Sequence, residues 1–152
     1  MTVTVFFNTA PPPAVRKLTP LLKYAVLNAA PKNKGGISLV LTSDAEIRRL
    51  NRTFLARPGT TDVITFNHPK PAVLRLRSGQ VTPPGETLPF GDIFICLPAA
   101  RRQAKRMGHS LETELLILAT QRAQHLSGMD DATPALRRRM NQRTIRLLKK
   151  LL

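Results

Sequence analysis

The chain is 152 residues long and 42% hydrophobic, enough to bury the core of one ordinary domain and too apolar for a disordered tail. Its 24 Lys and Arg against 9 Asp and Glu give a formal charge of +15, a surface that attracts polyanions. A single cysteine, Cys96, excludes a disulfide framework within the chain and any multi-thiolate zinc or iron–sulfur site, and it suits a reducing compartment.

Residues 2–7, TVTVFF, are β-branched and aromatic and run into Asn8 and the Pro11, Pro12, Pro13 cluster, which cannot continue a ladder; they predict a first strand and its stop. The same N-terminus carries no basic segment ahead of a long apolar run, and a membrane helix would need about 20 successive apolar residues, so a cytoplasmic protein is expected. Across residues 14–30, Val15, Leu18, Leu21, Leu22, Ala25, Val26 and Ala29 recur at helical spacing, with Pro20 in their midst. Either the helix kinks there, or Thr19 caps a shorter one with Pro20 at its first position. Residues 31–36 read as a turn and 37–41 as a second strand. Ser43 and Glu46 have capping-box spacing and open a helix through Ile47, Leu50 and Leu55; residues 61–66, ending in TDVITF, predict a third strand.

Residues 67–89 hold five prolines, two glycines and three basic residues without periodicity, and read as a long surface loop within one domain. Residues 90–97, with GDIFIC, predict the fourth strand. Pro98 then opens a basic helix that Gly108 ends, and Ser110 can cap a strongly apolar helix over residues 111–126, expected to be central and to stop at Gly128. Thr133 and Pro134 start a last helix over residues 134–152. This order of elements predicts one α+β domain spanning residues 1–152, a small four-stranded mixed sheet covered by helices.

The segment 121–131, QRAQHLSGMDD, concentrates the groups able to do chemistry. Gln121 and His125 stand four apart, hence on one helix face, and the break at Gly128 allows Asp130 or Asp131 to fold back beside them. That is the geometry of a facial three-donor metal site with an open position for water. On the residues alone, a histidine on an apolar helix reads first as a hydrogen-bonded core residue, and the aspartates read as turn residues or first-turn charges.

The segments LVLTSDAEIRRLNRTF, TTDVITF, GDIFIC, RQAKRMGHSLETEL and HLSGMDD, in this order over about residues 37–131, resemble the hallmark segments of the YbeY family of bacterial rRNA maturation factors. The resemblance implies a metal-dependent, single-strand-specific endoribonuclease acting in ribosomal RNA maturation and ribosome quality control. The family signature, HGxLHLxGYDH, holds one zinc ion through three histidines. Its second histidine falls on His125, its turn glycine on Gly128, its third ligand on Asp131 and its first ligand on Gln121. A glutamine offers only a neutral amide oxygen, a poor zinc donor, so the resemblance implies a weakened site. Arg122 and Gln124 replace the motif's glycine and leucine, putting a charge and an amide beside the site. Leu55 stands where many relatives carry an arginine, leaving Arg57 and Arg122 as the nearest candidate catalytic cations. Asp62 of TDVITF reads either as a group that orients a ligand or binds RNA-facing water or, the preferred reading, as a turn cap before the strand.

Arg48, Arg49 and Arg52 on one helix, Arg101, Arg102, Lys105 and Arg106 on another, and a C-terminal stretch with seven basic residues and no acidic one after residue 134 supply most of the charge. A single such cluster is usually a solvated face; three together point to RNA, with ribosomal RNA or a ribosomal subunit as the expected partner. Few aromatics and no tryptophan make backbone contacts, and hence salt sensitivity, the expected mode. In the final helix the apolar stripe is expected to pack on the core rather than lie on a membrane. The alternative to a nuclease is a non-catalytic RNA- or ribosome-binding relative that has lost its zinc site. A metalloprotease-like hydrolase lacks the HExxH glutamate beside His125.

Overall fold

Alternation of side chains along the strands decides the architecture. In β4 (Pro89–Cys96), Ile93 and Ile95 point to one face of the sheet, whereas Phe94 and Cys96 point to the other; in β3 (Val63–Asn67), Val63 and Ile64 divide the same way. With apolar residues on both faces, the sheet must be covered twice. The computed structural model, which describes residues 2–30, 35–55, 61, 63–67 and 89–151, shows this arrangement. With β1 (Thr2–Phe7) and β2 (Gly36–Thr42), the strands form one sheet in the order β1-β2-β4-β3. β1, β2 and β4 run parallel and β3 pairs antiparallel at the edge, so the sheet is mixed, as expected.

The larger core lies on the Ile93 and Ile95 face, where α1 (Pro13–Lys17), α2 (Thr19–Ala29), α5 (Leu111–Leu126) and α6 (Pro134–Lys149) pack. α5 touches α1, α2, α4 (Leu97–Met107), α6, β3 and β4 and buries Leu115, Leu116, Leu118, Ala119 and Ala123, which makes it the central helix. On the opposite face α3 (Asp44–Leu50) buries Ile47 and Leu50 against Ile64 and Cys96. An edge-to-face series of rings, Phe54 to Phe66 at 5.6 Å and Phe66 to Phe94 at 5.8 Å, extends that smaller core.

Three caps legible in the sequence are present: Ser43 Oγ accepts from Glu46 N, Ser110 Oγ from Thr113 N and Thr133 Oγ1 from Leu136 N. The capping box at Ser43 is only half built, because Glu46 turns its carboxylate to Arg49, at 2.6 and 3.0 Å. Two helical boundaries differ from expectation. Residues 14–30 are not one helix, and Thr19 is not a cap: the break falls at Leu18, and Thr19 Oγ1 donates to the Arg16 carbonyl at 2.8 Å. That carbonyl is the one Pro20, with no N–H, cannot satisfy. The helix of residues 44–55 closes at Leu50 and continues as a wider π-helical turn, Asn51–Leu55, which buries Asn51.

The last helix packs as expected, through Met140, Thr144 and Leu148, with Leu147 and Leu151 against the main core. No described helix is long and apolar enough to cross a membrane.

Candidate active site

The C-terminal end of α5 comes to the sheet because β4 has a glycine beneath it. A Cβ on Gly91 would stand 2.9 Å from the Phe66 carbonyl oxygen and 3.0 Å from Leu126 Cδ2, so only glycine lets Leu126 rest there. His125 is thereby placed at the edge of the packed helix. The helix then reverses: Gly128 N donates to the His125 carbonyl and Met129 N to the Gln124 carbonyl, both at 3.0 Å, with Gly128 at φ +96°. This is a Schellman reversal, which satisfies the last carbonyls and turns the chain back over the helix end. Asp130 spends its carboxylate on the turn, accepting from Ala132 N at 3.0 Å, and Asp131 is the aspartate that returns to the helix.

Asp131 Oδ2 lies 3.5 Å from His125 Nε2. That is long for a hydrogen bond. It is close to the edge of a tetrahedron around an ion with donor distances of about 2.0–2.2 Å, an edge of roughly 3.4 Å. His125 is 24% and Asp131 49% exposed, so the space between them opens to solvent. Gln121 is drawn toward α6, where its Nε2 donates to Asn141 Oδ1 at 3.2 Å. Among the described residues no three His, Cys, Asp or Glu side chains gather to hold a metal. The donors brought together are therefore two, His125 and Asp131, types that suit a divalent ion, while Gln121, the expected third, has its amide turned to Asn141.

The other sequence-derived candidates separate. Gln124 does not stand beside the site: it is fully buried and donates to Thr144 Oγ1 at 2.8 Å and to the Thr120 carbonyl at 3.4 Å, part of the α5–α6 contact. Arg122 lies on α5 with a buried Nε that has no hydrogen-bond partner, and it makes no ion pair with Asp131. Arg57, Asp62 and residues 68–88 lie outside the described residues, as does the side chain of Leu55. Three α6 residues that local sequence did not single out support the turn. Arg143 donates to Met129 Sδ at 3.2 Å and to the Ala29 carbonyl at 3.4 Å, Arg137 donates to the Asp131 carbonyl at 3.4 Å, and Asn141 holds Gln121. Nothing in their own neighbourhood signals this, because the contacts exist only once α6 packs across α5.

The basic clusters are also sorted by geometry. Arg49 pairs with Glu46, and Arg102 reaches both oxygens of Asp44, at 3.2 and 3.4 Å. The Arg102 guanidinium, with the thiol of Cys96 donating to Asp44 Oδ1 at 3.0 Å, holds the Asp44 carboxyl below its ordinary range. Burial, reinforced by Asp44, pushes the Cys96 thiol up to about 11. Arg48, Arg52, Arg101 and Lys105 pair with no described carboxylate, and Arg106 donates to Gln103 at 2.6 Å. At the start of α5, Glu114, only 4% exposed, is matched by His109 Nε2 at 2.5 Å.

A family model described as endoribonuclease YbeY matches residues 12–152. The chain belongs to the YbeY family. The endoribonuclease YbeY of Elusimicrobium minutum is 40% identical to it, over 99% of this chain and all of that protein. That of Thermus thermophilus is 38% identical, covering 84% and 85% of the two chains. A Thermotoga maritima protein of known solution structure, 20% identical, superposes over 99% of this chain and 91% of its own with a TM-score of 0.63, a likeness of fold.

Proposed function

We propose that the protein is an endoribonuclease that cuts single-stranded RNA with the help of a divalent metal ion, in the cytoplasm, and that its substrate is ribosomal RNA in maturation and ribosome quality control. Membership of the YbeY family along nearly the whole chain carries this reading. The convergence of His125 and Asp131 beyond the Schellman turn supports it, because these are two of the positions to which the family resemblance assigns zinc ligands. His125 Nε2 and Asp131 Oδ2 are the two strong donors, with Gln121 Oε1 a weak third. When bound, such an ion acidifies a water and polarises a phosphodiester oxygen. The chain's own part is to aim His125 through the α5 end and Asp131 through the turn. Arg57 and Arg122 are the cations proposed to offset charge developing on the phosphate. Arg48, Arg49, Arg52, Arg101, Arg102, Lys105 and Arg106 are proposed to attract the backbone, Arg49 and Arg102 less than the rest because each already faces a carboxylate.

One observation favours a second reading. The amide of Gln121 is engaged by Asn141 at the position of the first ligand, as expected of a relative that keeps the fold and binds RNA without cutting it. Metal content measured on protein purified without chelator, followed by cleavage of a single-stranded RNA with and without added zinc, separates the two. Bound metal and zinc-stimulated cleavage support the nuclease; neither metal nor cleavage leaves the binding protein.

A further inference from the structure

α6 contains no acidic residue, and its packed side is already committed to the core. Its other side carries Arg139, Arg143, Arg146 and Lys150 at spacings of four, three and four, which on a helix is one continuous row, with Lys149 beside it. Arg139, Arg146, Lys149 and Lys150 are exposed and make no ion pair or side-chain hydrogen bond with any described residue. Arg143 is tethered by its guanidinium to Met129 and Ala29, and it borders a shallow hollow with Arg146, Leu147, Lys149 and Lys150. The α3 and α4 clusters each lose a cation to Asp44 or Glu46, whereas this row keeps its charge.

We propose that this face of α6 is a docking track for the phosphate backbone of a base-paired RNA segment, distinct from the strand offered to His125 and Asp131. The proposal rests on the endoribonuclease reading for the identity of the polyanion. Three features carry it. Cations at about 5–6 Å intervals along a rigid helix match a phosphate ladder held at regular spacing, and each contact gains free energy by releasing counterions. α6 has no aromatic side chain to stack on unpaired bases, which single-strand sites use, so a duplex with its bases hidden is the better fit. Finally, the row lies on the flank of α6 opposite Asn141, the residue that touches Gln121, at 100° per residue. Only Arg143 of the row touches the turn that carries Asp131, through Met129, so a duplex on the track would adjoin the strand offered to His125 and Asp131 without sharing its donors. A membrane surface is the poorer partner, because an interfacial helix must bury its apolar face in lipid and that face is spent on the protein core.

The test compares two RNAs, a single strand and the same strand extended by a hairpin, bound to the full chain and to a variant carrying Arg139→Gln, Arg146→Gln, Lys149→Gln and Lys150→Gln. Glutamine keeps the helix propensity, and circular dichroism checks the fold. The double variant Arg146→Gln/Lys150→Gln serves if the fourfold one is unstable. The unsubstituted chain is expected to bind the hairpin-bearing RNA at least about tenfold more tightly, with a steeper salt dependence, and the variant to lose that preference and slope. No hairpin preference in the unsubstituted chain, or a preference the variants retain, overturns the proposal. So does binding to phosphatidylserine vesicles, lost in the variant, in place of hairpin binding. Absence of single-strand cleavage with metal is a separate failure, that of the nuclease reading.

Discussion

Gln121 is the residue on which the chemistry of this chain turns. Its amide bonds to Asn141 while His125 and Asp131 approach each other without it, so in the proposed metal site one substitution would separate two donors from three. Gln121→His is expected to raise zinc affinity by more than roughly a hundredfold, since changes merely behind a ligand already shift affinity about 10–100-fold. Competition with a chromogenic chelator measures it, and an unchanged affinity would mean that the α6 side of the site holds residue 121 away from the ion. Cys96 gives the opposite kind of prediction. With its thiol pushed up to about 11, the thiolate fraction at pH 8 is about one in a thousand, and the sulfur is buried. Dithionitrobenzoate is expected to leave the native protein unlabelled over minutes and to react with one equivalent after unfolding; rapid native labelling would contradict the buried Cys96–Asp44 contact.

At the scale of elements, the end of α5 is seated by β4. Gly91→Ala forces a methyl against the Phe66 carbonyl and Leu126, and overpacking of this kind costs about 1–3 kcal/mol. A lower denaturation midpoint is expected, together with weaker metal binding, because the displaced Leu126 is the neighbour of His125. A variant as stable as the parent would show that the helix end does not depend on that seat. The α3–α4 tie through Asp44 and Arg102 has a defined pH sign. The lowered carboxyl contributes stability above its ordinary range and loses it as pH falls through the lowered value. Element identity was legible because strand alternation, capping serines and Pro–Gly punctuation are local signals. The break at Leu18 and the π-helical turn at Asn51 were not, because each reflects how a carbonyl or a side chain is satisfied in three dimensions.

For the whole molecule, a charge of +15 with few carboxylates predicts that RNA affinity falls by roughly 10²–10³ between about 50 and 200 mM salt. A filter-binding series measures the slope, and a flat response would remove the cationic faces from the binding surface. Much of this protein was settled by the chain alone: the α+β class, the central α5 and the family segments are statements about residue types and intervals. Tertiary structure decided which groups meet. It spent Asp130 on a turn and returned Asp131 to His125, buried Gln124 against Thr144, gave Gln121 to Asn141, and paired Arg49 and Arg102 with carboxylates while leaving other cations of α3, α4 and α6 without one. Spacing along the chain constrains only neighbours within a turn or a strand. Partners 20 to 58 residues apart are chosen by how helices pack on the sheet.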